Sequence, residues 1–478
     1  MFDRIARFAT HWLLARWLGP AGLGVYTAAM TVAIMASSIA QLGLPTGAIY
    51  FGARQRQQGD HGSLKGTVVS GLVISCISGC AGTAVLMAIA WWAPQYLKDP
   101  TAAGAIVFAA PIALVRPLMR FAVGMIQAAK DMRGMSRALY FAMPASLLVL
   151  SAAAVFAGLG VTGAVVAAVA SFAVALAVAL QRMWQLYAHA LTDASAAMKL
   201  QVGALLRYSA PLSLADLVYR LNQWMDLLML AALAAVADVG QYRVAVGIAL
   251  LGAIPPNAIK TMFKPMVAEL VHNNEIERLD DLLAMVTRWV LVIAAPIYVA
   301  VLIVPDFFLW IFGEEYLIGA TAMVILMVGQ VANVACSPLA TILPMAGYTR
   351  IELANGVLAV TVNIVLNALL IPHYGIIGAA TANAVALTLW SAARAIEVRW
   401  LVGVFGFSWR LAATMAPLVV TAIAAQVATQ GTSLWVRLPT TAGILVAFLA
   451  AFWLFGRTDD DAMVIDRIRS KIMRRLRR

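Results

Sequence analysis

The spacing of charged residues constrains this chain more than any other feature of its sequence. Stretches such as 67–90, 145–181 and 411–429 carry no charge and are long enough to cross a hydrocarbon core of about 30 Å. Asp, Glu, Lys and Arg make up 12% of the 478 residues, against roughly 25% in an ordinary soluble protein. Water does not solvate the backbone inside lipid, so such spans must be helices. The pattern predicts an all-α membrane protein and excludes a soluble enzyme, a secreted disulfide module and a disordered chain.

Breaks rich in charge, glycine and proline divide the chain into about fourteen candidate transmembrane helices. They lie near residues 2–18, 24–50, 65–92, 103–129, 136–158, 161–187, 205–232, 239–263, 282–304, 317–345, 350–371, 376–401, 409–429 and 434–455. The two longest loops, near 188–204 and 264–281, are too small for a soluble catalytic domain. Whatever the chain does is therefore expected to take place within the bilayer.

The lysines and arginines indicate the orientation of these spans. If the N-terminus is cytoplasmic, most of the 34 basic residues fall on the cytoplasmic side, including the eight from Arg457 onward. The positive-inside rule then predicts that both termini are cytoplasmic. The net charge of +12 is therefore largely topological and does not indicate nucleic acid. The tail at 457–478 is predicted to be a basic amphipathic helix on anionic lipid headgroups, with a solvated basic tail as the alternative.

Short patterns recur along the chain at a nearly constant offset. The three pairs are Gly24-Val25-Tyr26 with Gly240-Gln241-Tyr242, Arg137 with Arg350, and Gly160-Val161-Thr162-Gly163-Ala164 with Gly375-Ile376-Ile377-Gly378-Ala379. Each repeat unit holds six spans, so both copies have the same orientation. Transporters built from two such bundles bind substrate near the membrane midplane and work by alternating access. A gene duplication without a transport role is the alternative.

The repeat predicts two six-helix bundles in parallel repeat plus two C-terminal helices. The predicted parts are an N-terminal six-helix bundle at 1–190, a cytoplasmic linker at 191–204, a C-terminal six-helix bundle at 205–402, two additional transmembrane helices at 403–456 and a basic amphipathic cytoplasmic tail at 457–478.

Several motifs between about residues 12 and 405 are similar to those of one transporter family. They are Arg16-Trp17-Leu18-Gly19-Pro20 with Gly24-Val25-Tyr26, Gln41-Leu42-Gly43-Leu44-Pro45, Phe312-Gly313-Glu314-Glu315-Tyr316, and Leu366-Asn367 through Ile371-Pro372-His373-Tyr374-Gly375. They resemble the polysaccharide transporters, the O-antigen and exopolysaccharide flippases of the multidrug/oligosaccharidyl-lipid/polysaccharide exporter superfamily.

The resemblance implies a function and a location. It implies a flippase that moves undecaprenyl-pyrophosphate-linked oligosaccharide to the outer leaflet of the bacterial cytoplasmic (inner) membrane. It also implies a polysaccharide polymerase and a chain-length regulator as partners, besides the lipid-linked oligosaccharide and membrane lipids.

The fourth span carries Arg116 and Arg120 one helical turn apart. An arginine at the centre of a membrane helix costs about 2.5–3.5 kcal/mol on insertion scales and normally faces a cavity or a partner. Its forked donors suit a pyrophosphate. The alternative is that acids on neighbouring helices match both arginines and only orient the bundle.

The seventh span carries a polar stripe at helical spacing. Its members are Asp216, Tyr219, Arg220, Gln223 and Asp226. Such a face fits a water-filled cavity, and Asp216 and Arg220 can partly cancel each other's charge. Asp226 is a candidate for H⁺ or Na⁺ coupling, with an ion pair to Arg116 or Arg120 as the alternative.

Three further basic residues complete the predicted substrate-binding set. Arg16 and Arg243 lie toward the outer ends of their spans, and Lys260 lies at the inner mouth. For Lys260, plain positive-inside anchoring is the alternative. Asn333, Asn355, Asn363, Asn367 and Asn383 lie in the second half, where most such residues form hydrogen bonds between helices.

The sequence does not indicate an enzyme or a bound cofactor. The five histidines are scattered, no phosphate-binding loop occurs, and the three cysteines imply neither a disulfide framework nor a metal site. Two other functions remain open: an ion-coupled multidrug exporter or lipid II flippase of the same superfamily, and a membrane glycosyltransferase, polymerase or ligase that acts on lipid-linked sugars.

Overall fold

The chain folds into helices throughout the part described by a computed structural model. The structure describes residues 2–92, 100–193, 196–254, 263, 266–406, 420–422, 424–428, 432 and 434–451, and no β-strand occurs among them. The helices are α1 (Phe2–Ala40), α2 (Leu44–Gln58), α3 (His61–Trp92), α4 (Pro100–Ala109), α5 (Ile112–Ala128), α6 (Met132–Ser136), α7 (Met143–Phe156), α8 (Gly160–Thr192), α9 (Val202–Leu233), α10 (Val236–Ala249), α11 (Ile276–Ile303), α12 (Pro305–Trp310), α13 (Ala320–Ala335), α14 (Leu339–Met345), α15 (Thr349–Leu401) and α16 (Leu434–Ala451).

The two longest helices each consist of two segments joined at a glycine. In α1 the break is Gly19 (φ 64°), which Pro20 follows, and in α15 it is Gly375 (φ 53°). A straight helix of the 53 residues of α15 would extend about 80 Å, well beyond a core of about 30 Å. Glycine has no Cβ and therefore adopts the left-handed conformation readily, and each of the two helices changes direction at such a glycine. Both breaks lie at predicted junctions between spans.

Other predicted spans are interrupted where the sequence analysis placed one helix. The span predicted at 24–50 breaks at 41–43, where Leu42 and Gly43 have positive φ values of 47° and 69°. A turn at Ala110–Pro111 separates α4 from α5, because proline cannot donate the hydrogen bond that a continuous helix needs there. A third turn at 336–338 separates α13 from α14.

Nine of the helical spans in the described part of the chain are long and apolar enough to cross a membrane. Phe2–Ala40 and Thr349–Leu401 count once each, although each contains two helical segments. The prediction of a multi-pass, all-α membrane protein is confirmed, whereas the count of fourteen stays a prediction. Most of the span predicted at 409–429 and the whole tail at 457–478 lie outside the described residues.

The described chain forms two compact units. The first consists of residues 1–246, 309–325 and 353–386. Its core is centred on α5, where Met119, Phe121 and Ile126 are fully buried. Tyr187 of α8 donates a hydrogen bond to the carbonyl oxygen of Met125 over 2.7 Å and fastens α8 to α5.

The second unit consists of residues 247–308, 326–352 and 387–478. Leu283 of α11 and Ile342 of α14 belong to one of its buried apolar clusters. The last of its described helices, α16, is attached by Arg437, which donates to the Ile303 carbonyl oxygen over 2.6 Å and to the Asp306 carboxylate over 2.7 Å. The domain boundaries inferred from the repeat stay a prediction.

Candidate functional site

A buried carboxylate lies inside the first compact unit. Asp226, on α9, is 3% exposed, and Tyr242 of α10 beside it is 1% exposed. Two asparagines from the first segment of α15, Asn363 and Asn367, and one from its second segment, Asn383, approach the same carboxylate. The term Asp226 site refers below to these five residues.

Four side chains donate hydrogen bonds to Asp226. Its Oδ1 accepts from Nδ2 of Asn363 and Nδ2 of Asn367, each over 2.8 Å. Its Oδ2 accepts from Nδ2 of Asn383 over 2.6 Å and from the hydroxyl of Tyr242 over 3.1 Å. Hydrogen bonds to a charged group contribute about 1.5–3 kcal/mol each, so four of them offset much of the desolvation of the carboxylate.

The sequence of α15 explains how its three asparagines meet. Asn363 and Asn367 are four residues apart and therefore lie on one helical face, where Asn367 also donates to Oδ1 of Asn363 over 3.0 Å. The bend at Gly375 then turns the chain back. At Gly378 the second segment packs so closely on the first that a Cβ would lie 3.0 Å from the Ile371 nitrogen. This return brings Asn383 to the same carboxylate.

The site has oxygen atoms to offer a cation. Among the described residues, the amide oxygens Oδ1 of Asn367 and Oδ1 of Asn383 are buried without a hydrogen-bond partner. An amide that rotates by half a turn exchanges its nitrogen for its oxygen. The carboxylate, three amide oxygens and the Tyr242 hydroxyl form the oxygen-only ligand set that hard cations prefer. The four donors are neutral and do not cancel the charge of Asp226, so the residues fit a small cation.

Arg116 is held by serines of α1. It is 5% exposed, and its Nη1 donates to Oγ of Ser37 over 3.1 Å and Oγ of Ser38 over 3.2 Å. The serines orient the guanidinium without adding negative charge. Arg120 lies one turn further along α5 and is half-buried.

Arg243 contacts a histidine of the first helical segment. Its Nη2 lies 3.3 Å from Nε2 of His11. A guanidinium only donates, so His11 must accept at Nε2 and carry its proton on Nδ1. Neither the sequence motifs nor the spacing of His11 indicated this contact.

Arg16 is exposed and donates to the backbone. Its Nε reaches the carbonyl oxygen of Ile311 over 3.0 Å and its Nη2 that of Trp310 over 3.3 Å. Trp12 donates to the same Ile311 oxygen over 2.9 Å. These contacts connect α1 to the C-terminal end of α12.

The remaining predicted site residues are less closely defined. Arg220 is half-buried and Gln223 is exposed on α9. The side chain of Asp216 and the whole of Lys260 lie outside the described residues. The sequence analysis identified Asp226 but missed its partners. It interpreted the asparagines only as helix-to-helix contacts, although the four-residue spacing of Asn363 and Asn367 already placed both on one face.

The fold is that of solved multi-helix transporters. The lipid II flippase MurJ in its inward closed conformation is 11% identical, with a TM-score of 0.74 over 95% of this chain and 97% of that chain. An inward-facing multidrug resistance transporter of the MATE family and MOP superfamily is 15% identical, with a TM-score of 0.71 over 84% of this chain and 95% of that chain. The class is therefore a membrane protein with the fold of that superfamily.

The family follows from the sequence match. The family described as polysaccharide biosynthesis protein matches residues 1–271, more than half of the chain, and the chain belongs to this family. The MatE family matches residues 211–369. The resemblance identified from the motifs is thereby confirmed, and the matches agree with a transporter rather than an enzyme.

Two curated relatives come from Haloferax volcanii. The probable flippase AglR is 29% identical over 174 residues, which are 35% of this chain and 36% of AglR. The probable low-salt glycan biosynthesis flippase Agl15 is 22% identical over 184 residues, 38% of each chain. The chain thus matches little more than a third of the length of either relative.

Proposed function

We propose that this protein is a flippase for a lipid-linked oligosaccharide. The cargo is an undecaprenyl-pyrophosphate-linked repeat unit of O-antigen, capsule or exopolysaccharide, moved across the bacterial cytoplasmic membrane by alternating access. Membership of the polysaccharide biosynthesis family supports the cargo class. The single structural observation that carries active transport is the Asp226 site, because an ionisable group kept at membrane depth is by default functional.

The proposal includes the topology inferred from the sequence. Fourteen spans form two parallel six-helix bundles with two further helices, and both termini are cytoplasmic. The cytoplasmic tail lies on anionic headgroups. A polymerase and a chain-length regulator act on the cargo after it is flipped.

Arginines supply the proposed binding site for the pyrophosphate. Arg116, Arg120 and Arg220 form its centre, and they are joined by Asp216, Gln223, Arg243, Lys260 and Arg16. Arg116 is the best supported, because it is buried and two serine hydroxyls of α1 hold its guanidinium in a fixed orientation. A guanidinium held in one orientation presents paired N–H donors that match the oxygens of a diphosphate.

The arginines are tested by export of the polysaccharide. Arg116→Ala, Arg120→Ala and Arg220→Ala are expressed in a host without its chromosomal copy, and surface glycan and membrane levels are measured. Each variant is expected to remain in the membrane and lose export. Arg133→Ala changes an exposed arginine at a helix end and serves as the matched control. Normal export in all three variants would contradict the proposal.

Asp226 supplies the proposed ion coupling. Binding of Na⁺ or H⁺ at the carboxylate drives the transport cycle, and the three asparagine amides rotate to serve Na⁺. Asp226→Asn keeps the volume but removes the charge, so cargo movement in membrane vesicles should no longer respond to an imposed Na⁺ or pH gradient. Asp281→Asn, on an exposed carboxylate, should keep the response. A gradient response that persists in Asp226→Asn would exclude this role.

The second candidate keeps the fold and changes the cargo. Similarity of the fold to MurJ and MATE transporters favours a lipid II flippase or an ion-coupled multidrug exporter. Rescue of cells depleted of lipid II flipping, or drug resistance on overexpression, would favour this candidate. Elongation of glycan chains by the purified protein would instead indicate a glycosyltransferase or polymerase.

A further inference from the structure

Two glycines bring the backbones of α1 and α10 into direct contact. A Cβ at Gly24 would overlap the carbonyl oxygen of Val236 and lie 2.8 Å from its carbonyl carbon. A Cβ at Gly240 would overlap the carbonyl oxygen of Pro20 and lie 3.0 Å from its carbonyl carbon. The nearest obstructing atoms are backbone in both cases, joined at Gly24 by the Val236 Cγ1, so a side chain at either glycine would require the helices to move apart. The term glycine clasp refers to these four residues.

The glycine clasp is reciprocal. Gly24 and Gly240 are equivalent positions of the internal repeat, 216 residues apart, and Pro20 and Val236 are separated by the same 216 residues. Each repeat therefore offers a glycine to a carbonyl of the other, as the two sides of a two-fold interface do. Such a contact lies beside the pseudo-two-fold axis that relates parallel repeats.

Weaker contacts surround the glycine clasp. Gln241 donates from Nε2 to the carbonyl oxygen of Glu315 over 3.3 Å. Tyr316 donates its hydroxyl proton to the carbonyl oxygen of Ala15 over 3.1 Å. The segment that contains Glu315 and Tyr316 thus joins the regions on both sides of the clasp, and the first compact unit contains all of these residues.

We propose that the glycine clasp closes the outer end of the transporter and parts once in every transport cycle. The inference rests on the proposed alternating access and on the predicted orientation. The closest atoms of the contact are backbone, with the Val236 Cγ1 beside them, and it contains no charged group. Contacts between a Cα–H and a carbonyl are individually weak, so the clasp can form and break repeatedly. Glycine is required at both positions because any Cβ would hold the outer end open.

The first experiment measures how often the outer end opens. Thr31 is fully buried, seven residues beyond Gly24 and about 10 Å deeper along the helix. Thr31→Cys is labelled on intact cells with a membrane-impermeant maleimide, and the modified peptide is quantified by mass spectrometry, which separates it from Cys76, Cys80 and Cys336. A minor conformation is commonly about 0.1–10% populated, so Gly24→Ala or Gly240→Ala should raise the labelling rate roughly tenfold or more.

The matched control is a glycine of the same helix. At Gly247, seven residues after Gly240 in α10, a Cβ would meet nothing within 4 Å. Gly247→Ala should therefore leave both labelling and export unchanged. The double variant of Gly24 and Gly240 should label no faster than either single variant, since either one already separates the same contact. Unchanged labelling in both single variants would show static packing, and additive effects would show two independent contacts; either result would overturn the inference.

The second experiment uses a protein that keeps both glycines, so it does not depend on the folding of the alanine variants. Trp12→Cys of α1 and Ile311→Cys, which belong to different predicted bundles and are in contact through the Trp12 indole and the Ile311 carbonyl oxygen over 2.9 Å, are joined by a bismaleimide that contains a cleavable disulfide. Cross-linking should stop export and reduction should restore it, whereas the parent chain treated alike should be unaffected. Export that continues in the cross-linked protein would contradict the clasp. Labelling that responds as expected in a protein that exports no glycan would contradict the proposed cargo and would support the glycine clasp.

Discussion

Two carboxylates within helices of this chain are stabilised in different ways. In the second unit, Glu352 contacts the guanidinium of Arg394, whose Nε donates to its two carboxylate oxygens over 3.0 and 3.1 Å. The Arg394 guanidinium also lies 4.2 Å from the Trp390 ring centroid. In the first unit, Asp226 accepts hydrogen bonds from four neutral donors of the described part of the chain. The carboxylate of Glu352 is thus matched by an opposite charge, whereas the described partners of Asp226 are neutral, and the proposed role of Asp226 in ion coupling rests on this difference.

The largest expected effect comes from separating the complete pair. Arg394→Ala leaves Glu352 without its cation and should lower the free energy of unfolding by about 3–5 kcal/mol, as for other broken buried pairs. Thermal unfolding of the purified protein in detergent measures this loss. Arg394→Met combined with Glu352→Gln removes both charges and should restore most of the stability. A double variant as unstable as Arg394→Ala would show that the pair matters for more than charge balance.

The next prediction tests whether the asparagine amides of the Asp226 site bind the proposed cation. Asn367→Ala or Asn383→Ala removes one donor and one potential ligand oxygen, and should weaken Na⁺ binding about 10–100-fold. The affinity is obtained from the rise of the unfolding temperature with NaCl, compared with choline chloride. Asn333→Ala, which removes a 3.4 Å contact to Gln330, is the control and should change nothing. Equal Na⁺ stabilisation in all three variants would mean that these amides do not bind the cation.

A smaller effect is expected at Arg116, whose guanidinium donates hydrogen bonds to two neutral serine hydroxyls. Ser37→Ala with Ser38→Ala removes two acceptors of Arg116 but keeps its charge. Without these hydrogen bonds Arg116 is held less firmly, and we expect the activation free energy of export to rise by about 1 kcal/mol. This rise corresponds to a roughly fivefold lower export rate. Ser146→Ala, whose hydroxyl bonds within its own helix, should leave the rate unchanged. A complete loss of export would instead mean that the serines bind the cargo themselves.

The smallest effect concerns a carboxylate between two membrane spans. A hydrogen bond from the Gly134 N–H and the Arg182 guanidinium hold the pKa of Asp131 below its ordinary value of 3.8. Its contribution is therefore present at neutral pH and disappears as the pH falls through the lowered pKa. Asp131→Asn should lower the free energy of unfolding at pH 7 by about 0.2–1 kcal/mol, because water screens the pair. The difference between parent and variant should vanish in strong acid, and a difference that grows there would contradict this sign.

The fold class could be predicted from hydropathy, because a continuous apolar stretch of about 20 residues can satisfy its backbone hydrogen bonds in lipid as a helix, whereas a barrel strand would show an alternating pattern. The bends at Gly19 and Gly375 were also foreseeable, since proline and glycine stand beside them. The span predicted at 24–50 missed the break at 41–43, because the apolar residues there outweighed two local signals, Gly43 and the Pro45 that follows it at the start of α2. Hydropathy reports where a chain enters lipid and does not report its φ angles.

The Asp226 site was predictable only in part. Helical spacing placed Asp226 on a polar stripe, since that information is local to α9. Its partners come from residues 16 to 157 positions away, and their convergence depends on how α10 and α15 pack against α9. No periodicity in one helix encodes such packing. For the same reason the contact of Arg243 with His11 could not be foreseen.

The attachment of α16, the last of the described helices, by Arg437 has a consequence for shortened forms of the chain. The guanidinium of Arg437 binds the carbonyl oxygen that ends α11 and the carboxylate of Asp306 beside it. A protein shortened to stop before α16 would lose this donor and leave the Ile303 carbonyl oxygen and the Asp306 carboxylate without it. The end of α11 is therefore finished by a residue more than a hundred positions further along the chain, so α11 and α16 are expected to be stable only together.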